Sequence, residues 1–159
     1  MKLGILSDTH GHLNTQIHAM FSDVDAIIHA GDIGSDDILF ELETIAPVTA
    51  VRGNMDNIGR PADFHEFAVL ACDGIRCFVT HDLGTPPTIK SHLQPVVTQY
   101  HPHVIIFGHT HKPYSRYIGD ILYFNPGSAT SGRSAHRQTV GLFTILDNTV
   151  SPSILPLKS

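Results

Sequence analysis

"VIIFGHTHKP", residues 104–113, runs four apolar residues into Gly108, sets His109 and His111 one residue apart, and stops at Pro113. A short apolar run bounded by Gly and Pro reads as a buried strand. The chain has 12 histidines, so one neighbouring pair decides nothing by itself. The decisive point is that the pattern recurs. "KLGIL" (2–6) runs into Ser7-Asp8-Thr9-His10-Gly11, and "AIIHA" (26–30) into Gly31-Asp32. "VTAV" (48–51) runs into Arg52-Gly53-Asn54, and "RCFV" (76–79) into Thr80-His81. Apolar strands that each end in Asp, Asn or His belong to an α/β sheet whose site lies outside the carboxyl ends of its strands.

Between these strands the periodicity changes. "LNTQIHAMF" (13–21) places Leu13, Ile17, Met20 and Phe21 at helical spacing. "SDDILFELETI" (35–45) opens on a Ser N-cap candidate with acids in its first turn, then puts Ile38, Leu42 and Ile45 on one face. The order βαβαβ predicts parallel strands joined by right-handed crossovers. The second half changes style. "EFAVLACDGIRCFVT" (66–80) is a hairpin around Asp73-Gly74. "TIKSHLQPVVTQY" (88–100) reads as a helix interrupted by Pro95, and 114–124, 139–147 and 149–157 read as strands with turns at Gly119-Asp120 and Asp147-Asn148. The fold class is therefore mixed α/β, with two packed sheets flanked by helices.

The 159 residues fit one domain over 1–159. A net charge of -5 argues against a broad nucleic-acid surface. The basic residues Lys112, Arg116, Arg133, His136 and Arg137 read as solvated surface. Cys72 and Cys77 flank the Asp73-Gly74 turn and read as reduced, half-buried thiols facing each other across it. The apolar stretch before Ser7 is too short for a signal peptide, and no run reaches the ~20 residues of a spanning helix. Those features predict a cytoplasmic protein off the membrane, and homo-oligomerisation is compatible with them.

The strand ends together offer seven donors: Asp8, His10, Asp32, Asn54, His81, His109 and His111. In an extended segment residues i and i+2 share a side, so Asp8 and His10 are expected to grip one cation together. His109 and His111 have the same spacing, and the turn is free to send them to one cation or to two. A tetrahedral ion uses about four ligands. Seven suit two ions with a carboxylate bridge, an arrangement able to clamp an in-line displacement at phosphorus. The mix of oxygen and imidazole without thiolate favours Mn, Fe, Co, Ni or Zn over Mg or Ca.

DxH, GD, GN, a later His and GHTH in this order resemble the calcineurin-like metallophosphoesterase superfamily. The short length and Asn125-Pro126-Gly127-Ser128 resemble its small YfcE-like phosphodiesterase branch, to which the retromer scaffold subunit is related. The resemblance implies a four-layer αββα sandwich. It implies that Asp8, His10 and His111 hold one divalent ion, probed first as manganese, that Asn54, His81 and His109 hold the other, and that Asp32 bridges. It implies hydrolysis of small phosphate esters by a hydroxide between the ions, with Asp32, Asn54 and His109 at the reacting centre. Many relatives follow Asn with a His that binds phosphate or protonates the leaving group, and this chain has Met55. Many have Gly-His after the fourth-motif His, and this chain has Asp82-Leu83. Met55 argues for diesters over monoesters. His12 and Asp56 are the candidate substrate contacts. A scaffold of the same fold and a phosphomonoesterase are the rival readings. A zinc hydrolase of another fold lacks its HxHxDH cluster here.

Overall fold

The computed structural model describes residues 1–130 and 137–158. Its elements in order are β1 (Lys2–Leu6), α1 (Gln16–Met20), β2 (Ala26–His29), α2 (Asp36–Glu43), β3 (Val48–Ala50), α3 (Gly59–Asp63), β4 (Phe67–Cys72), β5 (Ile75–Thr80), β6 (Gly84–Thr85), β7 (Thr88–Ile89), α4 (Gln94–Tyr100), β8 (Val104–Ile106), β9 (Tyr114–Ile118), β10 (Ile121–Asn125), β11 (Thr139–Leu146) and β12 (Thr149–Pro156). One five-stranded sheet has the order β12-β11-β1-β2-β3 and the other β4-β5-β8-β10-β9, with β6-β7 as a separate hairpin. β1, β2 and β3 are parallel, as are β5, β8 and β10. The antiparallel strands β11, β12, β4 and β9 lie outside them.

Alternation along the strands builds the layers. Leu3, Ile5 and Ile28 of the first sheet meet Cys77, Val79, Val104, Ile106, Leu122 and Phe124 of the second in one apolar core. Leu6 and Ile27 face the other way and pack on Ile17 and Phe21 of the α1 region and on Ile38, Leu39 and Leu42 of α2. Phe78, Ile105 and Tyr123 face outward from the second sheet onto Leu93 and Val97 of the α4 region. Three cores between four layers make the αββα sandwich. Burying each large side chain contributes roughly 1.5–3 kcal/mol, so both sheets are fixed from two sides.

Several boundaries differ from the sequence expectation. α1 is one short turn rather than 13–21, because Asn14 caps the preceding turn through its Oδ1. Pro95 does not interrupt a helix. It sits in the first turn of α4, where its missing N–H costs nothing, and 88–89 pair as a strand instead. Ser35 stands at the N-cap of α2 without a side-chain bond to it, and Ile45 falls beyond that helix. Cys72 and Cys77 are buried rather than half-buried; in register Cys72 pairs with Ile75 and Cys77 with Leu70, a diagonal placement on one face that lets the two thiols meet across the hairpin as expected. Lys112, Arg116 and Arg137 are exposed. Arg133 and His136 lie outside the described residues. Among the described residues no helix is long and apolar enough to cross a membrane.

Candidate metal centre

All seven donors converge where β1, β2, β3, β5 and β8 end. The loop after β1 lies along the loop after β2, with Asp8 N–H donating to Gly31 O, His10 N–H to Asp32 O and Gly11 N–H to Ile33 O. The backbone there is not extended. Asp8, His10, Asp32, His109 and His111 all have positive φ, between 46° and 68°. The i, i+2 expectation of an extended Asp8–His10 segment is therefore not met, although the two side chains still lie together. Left-handed backbone costs a non-glycine residue roughly 1–2 kcal/mol, and Asp, Asn and His tolerate it best. Such strain persists only where surrounding contacts enforce it.

The glycines before the donors enforce it here. A Cβ on Gly53 would lie 2.1 Å from the backbone N and Oδ1 of Asp32, and one on Gly108 would lie 1.9 Å from Ser7 Oγ. Asp56, which the sequence offered as a substrate contact, is buried and uses both oxygens internally. Oδ1 accepts from Gly34 N–H at 3.0 Å and Oδ2 from Gly53 N–H at 2.8 Å. It therefore staples the Asp32 loop to the Asn54 loop and does not face the cavity. Asn125 donates to Gly108 O at 2.8 Å and to Thr110 Oγ1 at 3.1 Å, and Ser128 Oγ donates to Asp8 O. The Asn-Pro-Gly-Ser stretch thus braces the His109–His111 turn.

The donors fall into two imidazole pairs around two carboxylates. His10 and His111 have ring centroids 5.4 Å apart, and their Nε2 atoms are separated by 3.5 Å. His81 and His109 are 5.3 Å apart edge-on, with His81 Nε2 and His109 Nδ1 each 3.1 Å from Asn54 Oδ1. Asp8 Oδ1 lies 3.1 Å from His111 Nε2, 3.8 Å from His10 Nε2 and 3.9 Å from His81 Nε2. Asp32 Oδ2 lies 3.3 Å from His81 Nε2 and 3.9 Å from His10 Nε2, so one oxygen reaches both pairs. Its other oxygen accepts Met55 N–H at 2.8 Å. Among the described residues, two groups have ligand atoms close enough to share a cation: Asp8, His10 and His111, and Asp8, Asp32 and His81.

Electrostatics follow from this crowding. Burial opposes ionisation of Asp32, but the His81 ring, the Met55 N–H and His10 outweigh it and hold the carboxyl below its usual value. Burial likewise opposes charge on His81, yet Asp32 and Asp8 raise it. Asp8 beside it raises His111. Cations compete with protons for donors of this kind. The test of fit is Asp8. Its Oδ2 accepts from Ser7 Oγ and His109 N–H. Its Oδ1 is fully buried and has no aligned hydrogen-bond donor among the described residues, although three imidazole nitrogens surround it. A divalent cation among these residues would satisfy that oxygen.

Second contacts fix the rings. A carbonyl only accepts, so His81 carries its proton on Nδ1, 2.7 Å from Ala30 O, and turns Nε2 inward. Buried His29 accepts Gly31 N–H on Nδ1 at 3.2 Å, and its Nε2 is 2.9 Å from Thr9 Oγ1, which donates to Ile33 O. It ties the Asp8–His10 loop to the Asp32 loop, a role its position inside a strand did not reveal. His18 and His92 pair with Glu41 and Glu66 on the surface. His10, His12, Asp32, Asn54, Met55, His109, His111 and Thr130 line a cavity of about 460 Å³. His12 thus stands at its wall, and Met55, 60% exposed, at its rim. Asp82, which the sequence marked only as a departure, reaches the outer side of His109.

Comparison with known proteins gives the family. Residues 1–148 match the calcineurin-like phosphoesterase superfamily domain. A probable metallophosphoesterase of Methanothermobacter thermautotrophicus is 36% identical over 141 residues, covering 84% of this chain and 80% of its own. The phosphodiesterase YfcE of Escherichia coli is 30% identical, covering 94% of this chain and 89% of its own. Wild-type Vps29 of Entamoeba histolytica, solved as a zinc complex, superposes with a TM-score of 0.76 over 98% of this chain and 99% of its own, and at 19% identity it shares the fold alone. With sequence and fold in agreement over nearly its whole length, the chain belongs to the calcineurin-like phosphoesterase superfamily, in the branch of the small YfcE-like phosphodiesterases.

Proposed function

We propose that this chain is a dinuclear, divalent-metal-dependent phosphodiesterase acting on small phosphate esters in the cytoplasm, with residues 1–159 working as one domain. The observation that carries the reading is Asp8 Oδ1, buried without an aligned donor among the described residues and ringed by three imidazoles. Leaving such an oxygen unpaired costs stability, and a cation removes the cost. Asp8, His10 and His111 would hold one ion; Asn54, His81 and His109 the other; Asp32 Oδ2 would join them. Manganese is the proposed activating ion.

Two divalent cations, when bound, supply Lewis acidity at phosphorus and nucleophile activation at neutral pH. The side chains supply the rest. Asp32, Asn54 and His109 present donors to the cavity where the ester lies. The left-handed backbone at Asp32 and His109 holds those two donors before substrate arrives, so little reorganisation is needed during reaction. His12 contacts substrate from the cavity wall. The thioether of Met55 donates no proton, so the leaving group must depart without help from that position. This favours diesters with readily expelled leaving groups.

The test loads metal-free protein with Mn, Zn, Ni, Co, Fe or Mg and assays matched mono- and diesters. Two ions per chain and a diester preference are expected. Asp32→Ala should lose about 100-fold or more in rate, exceeding Asn54→Ala, because it removes a ligand from both ions. One ion held by fewer than five of the seven residues, or wild-type rates in Asp32→Ala at saturating metal, would refute the reading. A chain that takes two ions and hydrolyses neither ester class would be a scaffold.

A further inference from the structure

Asp82 follows His81 directly, in the loop after β5, and is not among the seven donors. The small hairpin β6–β7 explains how it is held. Gly84 pairs with Ile89 and Thr85 with Thr88, so the chain reverses and Lys90 N–H donates to Leu83 O at 3.0 Å. That register lays the Lys90 ammonium against Asp82 Oδ2. Gly84 N–H donates to Asp82 Oδ1 at 3.2 Å. Both oxygens of Asp82 are thus engaged, and the carboxylate has a fixed direction.

That direction is His109. Asp82 Oδ2 lies 3.7 Å from His109 Nε2, near enough for electrostatic attraction but longer than a hydrogen bond. The opposite ring nitrogen, Nδ1, lies 3.1 Å from Asn54 Oδ1. His109 therefore stands between a neutral oxygen on the site side and a carboxylate on the outer side. A ligating imidazole usually gives its other N–H to a carboxylate or carbonyl, which fixes the ring and makes the inner nitrogen more basic. His81 has Ala30 O in that role. For His109, the group so placed among the described residues is Asp82.

We infer that Asp82 is a positioning residue for His109: held by Lys90 and Gly84, its carboxylate faces the Nε2–H side of the ring and keeps Nδ1 turned to the site as a metal donor. The inference rests on the metal-dependent reading above. It also gives β6–β7 a purpose. The hairpin delivers a lysine that directs a carboxylate, and the carboxylate directs an imidazole. A plain surface ion pair between groups this exposed contributes little to stability, so the effect should appear in metal affinity and not in folding.

The experiment titrates zinc into the full chain, as wild type, Asp82→Asn, Asp82→Ala and Lys90→Gln, by calorimetry, and records imidazole nitrogen NMR spectra of the zinc-loaded forms. Affinity for one of the two ions should fall about ten-fold in Asp82→Ala and nearly as much in Asp82→Asn, which keeps the shape and loses the charge. Lys90→Gln should show a smaller loss. The melting temperatures of the metal-free forms should be unchanged. The Nε2–H of His109 should be visible and slow to exchange in the wild type, and broadened in Asp82→Ala. Wild-type zinc affinity in both Asp82 variants, or a zinc-loaded wild type with no proton on His109 Nε2, overturns the inference. A wild type that takes up no zinc overturns the dinuclear reading itself.

Discussion

His29 shows how one residue links burial to the site. Burial pushes its pKa down from 6.5 to about 4, against the pull of Asp56 and Asp8. The folded chain thus holds it neutral while the unfolded chain charges it. Its contribution is complete above pH 6.5 and is lost as pH falls towards 4. The loss amounts to on the order of 3 kcal/mol over that window. Unfolding of metal-free wild type and His29→Gln by denaturant across pH 4 to 7 should give curves that converge towards pH 4. Parallel curves would mean His29 is not held neutral. Met55 tests chemistry at the same scale. Met55→His restores a proton donor at the rim of the cavity, and monoesterase activity should rise several-fold relative to diesterase activity. An unchanged ratio in a folded, metal-replete variant would show that position 55 does not set specificity.

At the scale of elements, the strand ends carry the site because glycine lets neighbouring loops touch. Gly53→Ala forces a methyl into the Asp32 backbone and carboxylate. It should cost about 1–3 kcal/mol of stability and reduce metal affinity severely. Gly119→Ala, on the β9–β10 turn, meets no atom within 4 Å. It should cost only about 1 kcal/mol for its left-handed backbone and leave metal binding alone. Calorimetry and chemical denaturation on the two variants separate the cases. The same contrast explains what sequence could reveal. Buried strands such as 104–107 announce themselves by composition, and their terminal Asp, Asn and His follow by position. The spacing over 13–21 announces α1 but overruns its start, whereas α3 and β6–β7 are too short to carry a period, and tertiary contacts alone define them. Left-handed backbone at Asp8 or His109, and the reach from Asp82 to His109, arise from loops distant in sequence. No local pattern encodes them.

At the scale of the whole molecule, two carboxylates and four imidazoles crowd one end of the sandwich. Removing divalent ions should therefore lower the melting temperature, and adding them should raise it with concentration. A ligand at 100 times its dissociation constant stabilises by about 2.7 kcal/mol. Thermal scans with chelator and with graded zinc check this, and a melting temperature indifferent to both would argue against metal at these donors.

The donors have a further consequence through their origin. Asp8, His10, Asp32 and Asn54 follow strands of one sheet, while His81, His109 and His111 follow strands of the other. Apart from loop contacts, the two sheets meet across a greasy seam that resists separation but has little directional grip. Ions shared across its open end would act as rivets. Sliding or gaping of the sheets would then break coordination before it broke packing. The fold and its catalytic metals would share one mechanical fate, and motions that loosen the sandwich would also switch off the chemistry.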